Sequence, residues 1–205
     1  MKKQPIGVFD SGLGGLTILN ALRRTLPHED LIYFGDTANV PYGSKSRAAV
    51  TRFSLAIARF LQEQGVKLIV VACNTASALA LGELRKQCTV PVLGVIEPGA
   101  EKAVQTTRNQ CVAVLGTEGT IKSAAYAKAI AKRNKQIRVV QQACPLFVPL
   151  VEENWTRKPA ARLIAQEYLA PVKKSSADTV ILGCTHYPIL KPVLARLLGR
   201  SVHLV

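Results

Sequence analysis

Eight short apolar runs constrain this chain more than any other feature: IGVF (6–9), LIYF (31–34), LIVVA (68–72), PVLGV (91–95), CVAVL (111–115), IRVVQ (137–141), TVILG (179–183) and VHLV (202–205). Each is short, most are rich in β-branched residues, and longer segments of helical period separate them. In SRAAVTRFSLAIARFLQEQG (46–65), Val50, Phe53, Ile57, Phe60 and Leu61 recur three or four apart on one face, and Gly65 supplies a stop. Strands that are apolar throughout, alternating with helices, predict a mostly parallel sheet covered on both faces. The fold class is α/β.

A weak repeat runs through the same frame. GVFDSG aligns with AVLGTE at an offset of 106, VVACNT with ILGCTH at 111, and PVLGV with SVHLV at 110. Any parallel α/β chain looks periodic, but three matches in one order at nearly one offset favour two halves of similar fold. The expected domains are 1–96 and 97–205.

The repeat places two cysteines alike, Cys73 in LIVVACNTAS and Cys184 in TVILGCTHYP. Each follows a strand and precedes an expected helix, and in open α/β sheets ligand groups gather at the carboxyl ends of strands. A helix N-terminus carries free N–H groups and partial positive charge, which favour a thiolate. Asn74 and Thr75 after one cysteine, Thr185 and His186 after the other, add hydrogen-bonding groups. Cys88, Cys111 and Cys144 lack that frame and read as packing residues. Two reactive sulfurs from two similar halves suit either a redox disulfide or two-base proton transfer, in which one thiolate removes a proton and the opposing thiol returns one from the far face. The second reaction inverts a stereocentre.

Composition excludes other classes. Hydrophobic residues make up 48% of 205 and charged residues 20%, which fits a globular chain and not a disordered one. The start MKKQPIGVFD has no long apolar core of a signal peptide, and no apolar run approaches the ~20 residues that cross a bilayer. The expected location is the cytoplasm, with no membrane partner. Five dispersed cysteines without a CxxC pair argue against a disulfide framework and a zinc site, and the three histidines are too scattered to suggest a metal. The net charge of +14 is concentrated late: from Gly119 to Val151 there is no acid at all. A solvated helix face around Lys122, Lys128, Lys132, Arg133 and Lys135 accounts for it. Attraction of an anionic substrate or nucleic acid is the rival reading, and no nucleic-acid motif accompanies the charge. The glycines of DSGLGG are not spaced as GxGxxG and no Walker lysine follows, so no nucleotide site is expected.

Taken together, GVFDSGLGGLT, FGDTANVPYGSKS, VVACNTASA, GVIEPG, LGTEGTI, PLFVPLVEE and LGCTHYP resemble the glutamate racemase family, within the cofactor-independent aspartate/glutamate racemases. The cysteine motifs alone would also fit aspartate racemases; DSGLGG and PYGSKS narrow the likeness to glutamate. The resemblance implies a pseudo-symmetric pair of α/β domains with the active site in the cleft between them. It further implies interconversion of L- and D-glutamate without metal or other cofactor, supplying D-glutamate for peptidoglycan, with a homodimer left open. By position, Cys73 and Cys184 are implied as the acid/base pair, Asp10 assisting Cys73, and His186 with Glu152 assisting Cys184. Ser11, Pro41, Tyr42, Gly43, Asn74, Thr75, Thr117, Thr120 and Thr185, together with Asp10 and His186, are implied to hold the substrate.

Each assignment has a structural rival. Asp10 serves equally as the cap of a helix near Leu13, Glu153 competes with Glu152, His186 suits a helix cap, and Pro41 and Tyr42 suit a turn. At the level of function, the rivals are an aspartate racemase, a thiol oxidoreductase with a Cys73–Cys184 disulfide, and a basic nucleic-acid module. The family also implies several dozen further residues that return to the first domain. Their absence after Val205 reads as a fragment, inactive as it stands, or as a variant lacking that element.

Overall fold

The structure is a computed structural model that describes residues 4–205. The chain forms two compact units, one up to Val95 and the other Ile96–Val205. All eight apolar runs are strands, and every strand pairing is parallel.

In the first unit β1 (Ile6–Asp10), β2 (Leu31–Gly35), β3 (Leu68–Val71) and β4 (Val92–Gly94) lie in the order β2-β1-β3-β4. Central β1 is buried along its whole length, as a strand covered on both faces must be. Ile6, Val8 and Val70 pack with Ile18, Leu19 and Leu22 of α1 (Leu16–Thr25). On the other face Phe9, Ile69 and Val71 join Val50, Ile57 and Leu61 of α2 (Arg47–Glu63). Helices α3 (Asn74–Leu79) and α4 (Leu81–Gln87) complete that layer.

The predicted apolar face of α2 needs one correction. Its buried stripe is Val50, Ser54, Ile57, Ala58 and Leu61, whereas Phe60 is exposed and Phe53 only half-buried. At 3.6 residues per turn Phe60 lies about 100° round from the stripe's centre. Its ring instead meets Phe34 edge-on, with centroids 5.4 Å apart. The Ser46 hydroxyl caps the helix by accepting from Ala49 N, and Gly65 follows the end with φ +72.

The second unit repeats the topology. Strands β5 (Cys111–Gly116), β6 (Arg138–Ala143), β7 (Thr179–Gly183) and β8 (His203–Leu204) lie in the order β6-β5-β7-β8. The aligned sequence pairs therefore fall on equivalent strands: β1 with β5, β3 with β7, β4 with β8. Cys111, Ala113, Leu115 and Val180 pack against Ala161, Ala165, Leu169 and Val172 of α9 (Pro159–Lys174) and Leu194 of α10 (Lys191–Leu198). Helices α5 (Ile96–Thr106), α6 (Glu118–Ser123), α7 (Ala125–Arg133) and α8 (Phe147–Glu152) complete the unit. Lys122, Lys128, Lys132, Arg133 and Lys135 are all exposed; Lys122 pairs with Glu118 at 3.0 Å and Arg133 with Glu97 at 2.5 Å. Among the described residues no helix is long and apolar enough to cross a membrane.

Candidate functional site

In each unit the carboxyl ends of the two central strands gather the residues singled out from sequence. β1 ends in Asp10, followed by Ser11; β3 runs into Cys73, Asn74 and Thr75. All five are buried. Asp10 is fully buried, and its Oδ2 accepts from Gly12 N at 3.1 Å and Gly15 N at 3.0 Å, just ahead of α1. A carboxylate there fits the unpaired N–H groups and positive end of a helix. The backbone closes so tightly that a Cβ at Gly15 would stand 2.3 Å from that of Asp10. The turn and the carboxylate are one piece of structure: Asp10 ties the loop ahead of α1, whose N-cap Gly15 has no side-chain cap.

Cys73 is the N-cap of α3: its Sγ accepts from Ala76 N at 3.4 Å, and its thiol donates to Ser11 Oγ at 3.7 Å, a contact the Ser11 hydroxyl can reverse once the sulfur ionises. Those bonds favour the thiolate, as expected for a helix N-terminus, yet the net effect is the reverse. Burial first, then the charge of Asp10, push the thiol up to about 11 from an ordinary value near 9. Desolvation and the Asp10 charge outweigh the hydrogen bonds from Ala76 and Ser11, so the expectation of a lowered pKa is overturned for Cys73.

The Cys184 corner is built differently. Cys184, Thr185 and His186 form a turn, and Tyr187–Leu190 a single 3-10 stretch before α10 begins. The predicted strand-to-α-helix corner is absent for a local reason. An α-helix would return the N–H of residue 188 to the Cys184 carbonyl, and Pro188 has none. Tyr187 N donates to that carbonyl instead, at 3.0 Å. In place of a helix end, the thiol meets an imidazole: Cys184 Sγ lies 3.8 Å from His186 Nδ1, and His186 Nε2 lies 3.2 Å from Glu152 Oε1. With the Nε2 proton on the Glu152 side, Nδ1 is the acceptor facing the sulfur. Thiol, imidazole and carboxylate in line are the arrangement by which a neighbouring base activates a nucleophile. Between the rival acids, Glu152 is the one paired with His186.

Thr117 caps α6, accepting from Thr120 N at 3.3 Å, and the two hydroxyls are 3.1 Å apart. Both are buried, as is Thr185. Pro41 is exposed, Gly43 half-buried and Tyr42 buried. The Tyr42 hydroxyl donates to Asp36 Oδ2 at 2.5 Å, so its proton is committed within the protein.

Three residues escape a reading of the sequence. Asp36, buried at the end of β2, also accepts from Asn39 Nδ2 at 2.9 Å and fixes the 41–43 turn. Tyr33 donates to Gly12 O at 2.6 Å, and burial, then the charges of Asp10 and Cys73, hold its proton well above the tyrosine range. The motif FGDTANVPYG contains Asp36 and Asn39; nothing local marks Tyr33, whose partner lies 21 residues away. The third is Tyr126, buried on α7. Among the described residues no three His, Cys, Asp or Glu side chains are grouped to hold a metal ion.

The sequence and the fold both recur in known proteins. The family model for Asp/Glu/hydantoin racemases matches residues 15–204. A glutamate racemase of Geobacter metallireducens is 56% identical over 205 residues, spanning all of this chain and 76% of its own. That of Syntrophus aciditrophicus is 52% identical, covering 98% of this chain and 74% of its own. Among solved structures, glutamate racemase isoform RacE1 of Bacillus anthracis superposes with a TM-score of 0.97 at 39% identity, over all of this chain and 77% of its own. The Francisella tularensis glutamate racemase, solved in complex with D-glutamate, gives 0.93 at 44% identity, over all of this chain and 76% of its own.

Proposed function

This chain belongs to the Asp/Glu/hydantoin racemase family, and from that premise we propose that it interconverts L- and D-glutamate by two-base proton transfer between Cys73 and Cys184. The observation that carries the reading is that two cysteines stand at equivalent strand ends, each beside a group able to move its proton. Glutamate is preferred to aspartate because relatives at 50–56% identity are glutamate racemases, whereas an aspartate racemase from Picrophilus torridus shares only the fold at 16%.

The difficult step is removal of a weakly acidic α-proton. One cysteine, as thiolate, takes it; the other, as thiol, delivers its own proton to the opposite face of the carbanion. The two sulfurs thereby exchange protonation states, and the reverse reaction restores them. On the Cys184 side the proton passes by way of His186, steadied by Glu152. On the Cys73 side Asp10 is the neighbouring base, and its charge disfavours a resting thiolate. A base made only when substrate excludes water is stronger than one that stands ionised in solvent. Ser11, Asn74, Thr75, Thr117, Thr120, Thr185 and the 41–43 backbone hold the amino and carboxylate groups with hydroxyls, amides and N–H donors, adding no full charge beside a thiolate. The D-glutamate formed is the form destined for peptidoglycan.

The deciding measurement is proton NMR of each glutamate enantiomer incubated with the folded protein in D2O without added cofactor. Deuterium should appear at the α-carbon of the inverted product. A folded protein that neither exchanges nor inverts either enantiomer would falsify the assignment.

A further inference from the structure

Two of the motifs that mark this chain, GVIEPG and LGCTHYP, contain glycines that take no part in the chemistry above, Gly99 on α5 and Gly183 at the end of β7. Both face the same side chain. A Cβ on Gly183 would stand 3.1 Å from Cε2 of Tyr126, and one on Gly99 would stand 3.2 Å from its Cε1 and 3.3 Å from its hydroxyl oxygen. Cε1 and Cε2 flank the carbon that bears the hydroxyl, so the glycines grip the ring at its polar end. Tyr126 enters from α7, which begins after Ala124 in the left-handed conformation at φ +54, and it is only 3% exposed. Gly183 directly precedes Cys184.

We propose that Tyr126 is a positioning residue for Cys184: its phenol, wedged between Gly99 and Gly183, fixes the end of β7 and supplies a polar flank for the Cys184 thiolate. The role in catalysis rests on the racemase reading above. Its chemistry is that of a neutral dipole. Burial, and secondly the charge of Cys184, hold the phenol proton well above the tyrosine range, so the group stays uncharged while the sulfur ionises. A carboxylate at this position would repel the thiolate, and a benzene ring would leave the sulfur facing a more apolar wall. The glycines matter because a methyl group at Gly99 would require the ring to shift by a few tenths of an ångström, whereas one at Gly183 would also stand 2.7 Å from the Leu115 carbonyl oxygen and push on the strand itself.

The test is peptide-resolved alkylation by iodoacetamide as a function of pH, which reports the ionisation midpoint of each cysteine separately and needs no turnover. In Tyr126→Phe the Cys184 midpoint should rise by about half a unit, read as about threefold slower alkylation at a fixed pH below the midpoint. Cys73 should keep its wild-type profile. General loosening of the fold would disturb both cysteines, so equal shifts at the two, or no shift at Cys184, overturn the proposal. If Tyr126→Phe does not fold, Gly99→Ala, which retains the phenol but displaces it, should raise the Cys184 midpoint in the same way, and the same outcomes overturn the proposal. Deuterium exchange on the same samples keeps the two ideas apart: an inactive wild type with a Cys184-specific shift defeats the racemase reading and leaves the coupling standing.

Discussion

His186 Nε2 stands 3.2 Å from Glu152 Oε1, which leaves the other ring nitrogen turned to Cys184. The imidazole is 6% exposed and the carboxylate 40%, so a surface acid holds a buried base in place. Glu152→Gln keeps the shape but removes the charge that fixes the ring's tautomer. Turnover should fall about a hundredfold, while stability changes by about 1–3 kcal/mol, as for a hydrogen bond to a charged group. Steady-state kinetics beside a urea titration separate the two; unchanged kcat would remove Glu152 from the relay.

Replacing either cysteine tests the two-base scheme itself. Cys73→Ala or Cys184→Ala should abolish racemisation with the circular dichroism spectrum preserved. Full activity in either single variant would sink the scheme. Activity that rises on oxidation and falls with reductant would favour a disulfide pair.

Burial of Cys73 makes a prediction about alkaline stability. Its pKa is about 11 folded against 9 as the ordinary value, so between those pH values the unfolded chain has lost a proton that the folded one keeps. Stability is therefore intact below pH 9 and declines as pH rises to 11, by about 3 kcal/mol at most. Cys144, also raised by burial, adds in the same direction. Denaturation midpoints from pH 8 to 11 should fall less steeply in Cys73→Ala than in the wild type. Parallel curves would show that the thiol is not buried as described.

Asp10→Asn separates reactivity from catalysis. Removing the Asp10 charge should lower the alkylation midpoint of Cys73 below about 11, because that charge helps to raise it. Loss of the negative charge just ahead of α1 should cost about 1 kcal/mol. Racemisation should nonetheless drop, since a more acidic thiol without its neighbouring base is a poorer proton carrier. A variant that alkylates at lower pH and also racemises faster would contradict the role given to Asp10.

What is legible in the sequence follows the range of the forces involved. Strands such as IGVF and CVAVL can be read because their burial on both faces is written in consecutive residues. The face of α2 is nearly as plain, and Phe60 misleads because aromatic size suggests burial even where helical phase opposes it. The Cys184 corner misleads because its resemblance to the Cys73 corner hides Pro188, whose missing N–H decides the turn. The direction of the Cys73 pKa is hidden for a different reason: burial is a sum over the whole unit, whereas the helix end is visible in four residues. Tyr33 and Tyr126 meet partners far along the chain, and no local pattern marks them.

The two units share a strand order but hold their sulfurs by unlike means, a main-chain N–H from Ala76 in one and the His186 imidazole in the other. Enantiomers in water have equal free energy, so kcat/KM toward L and toward D must be equal at every pH, however dissimilar the two corners. Their difference can surface only in paired form, with kcat and KM rising together for one direction. Unlike corners thus let such a chain favour one hand of its substrate in occupancy without favouring either at equilibrium.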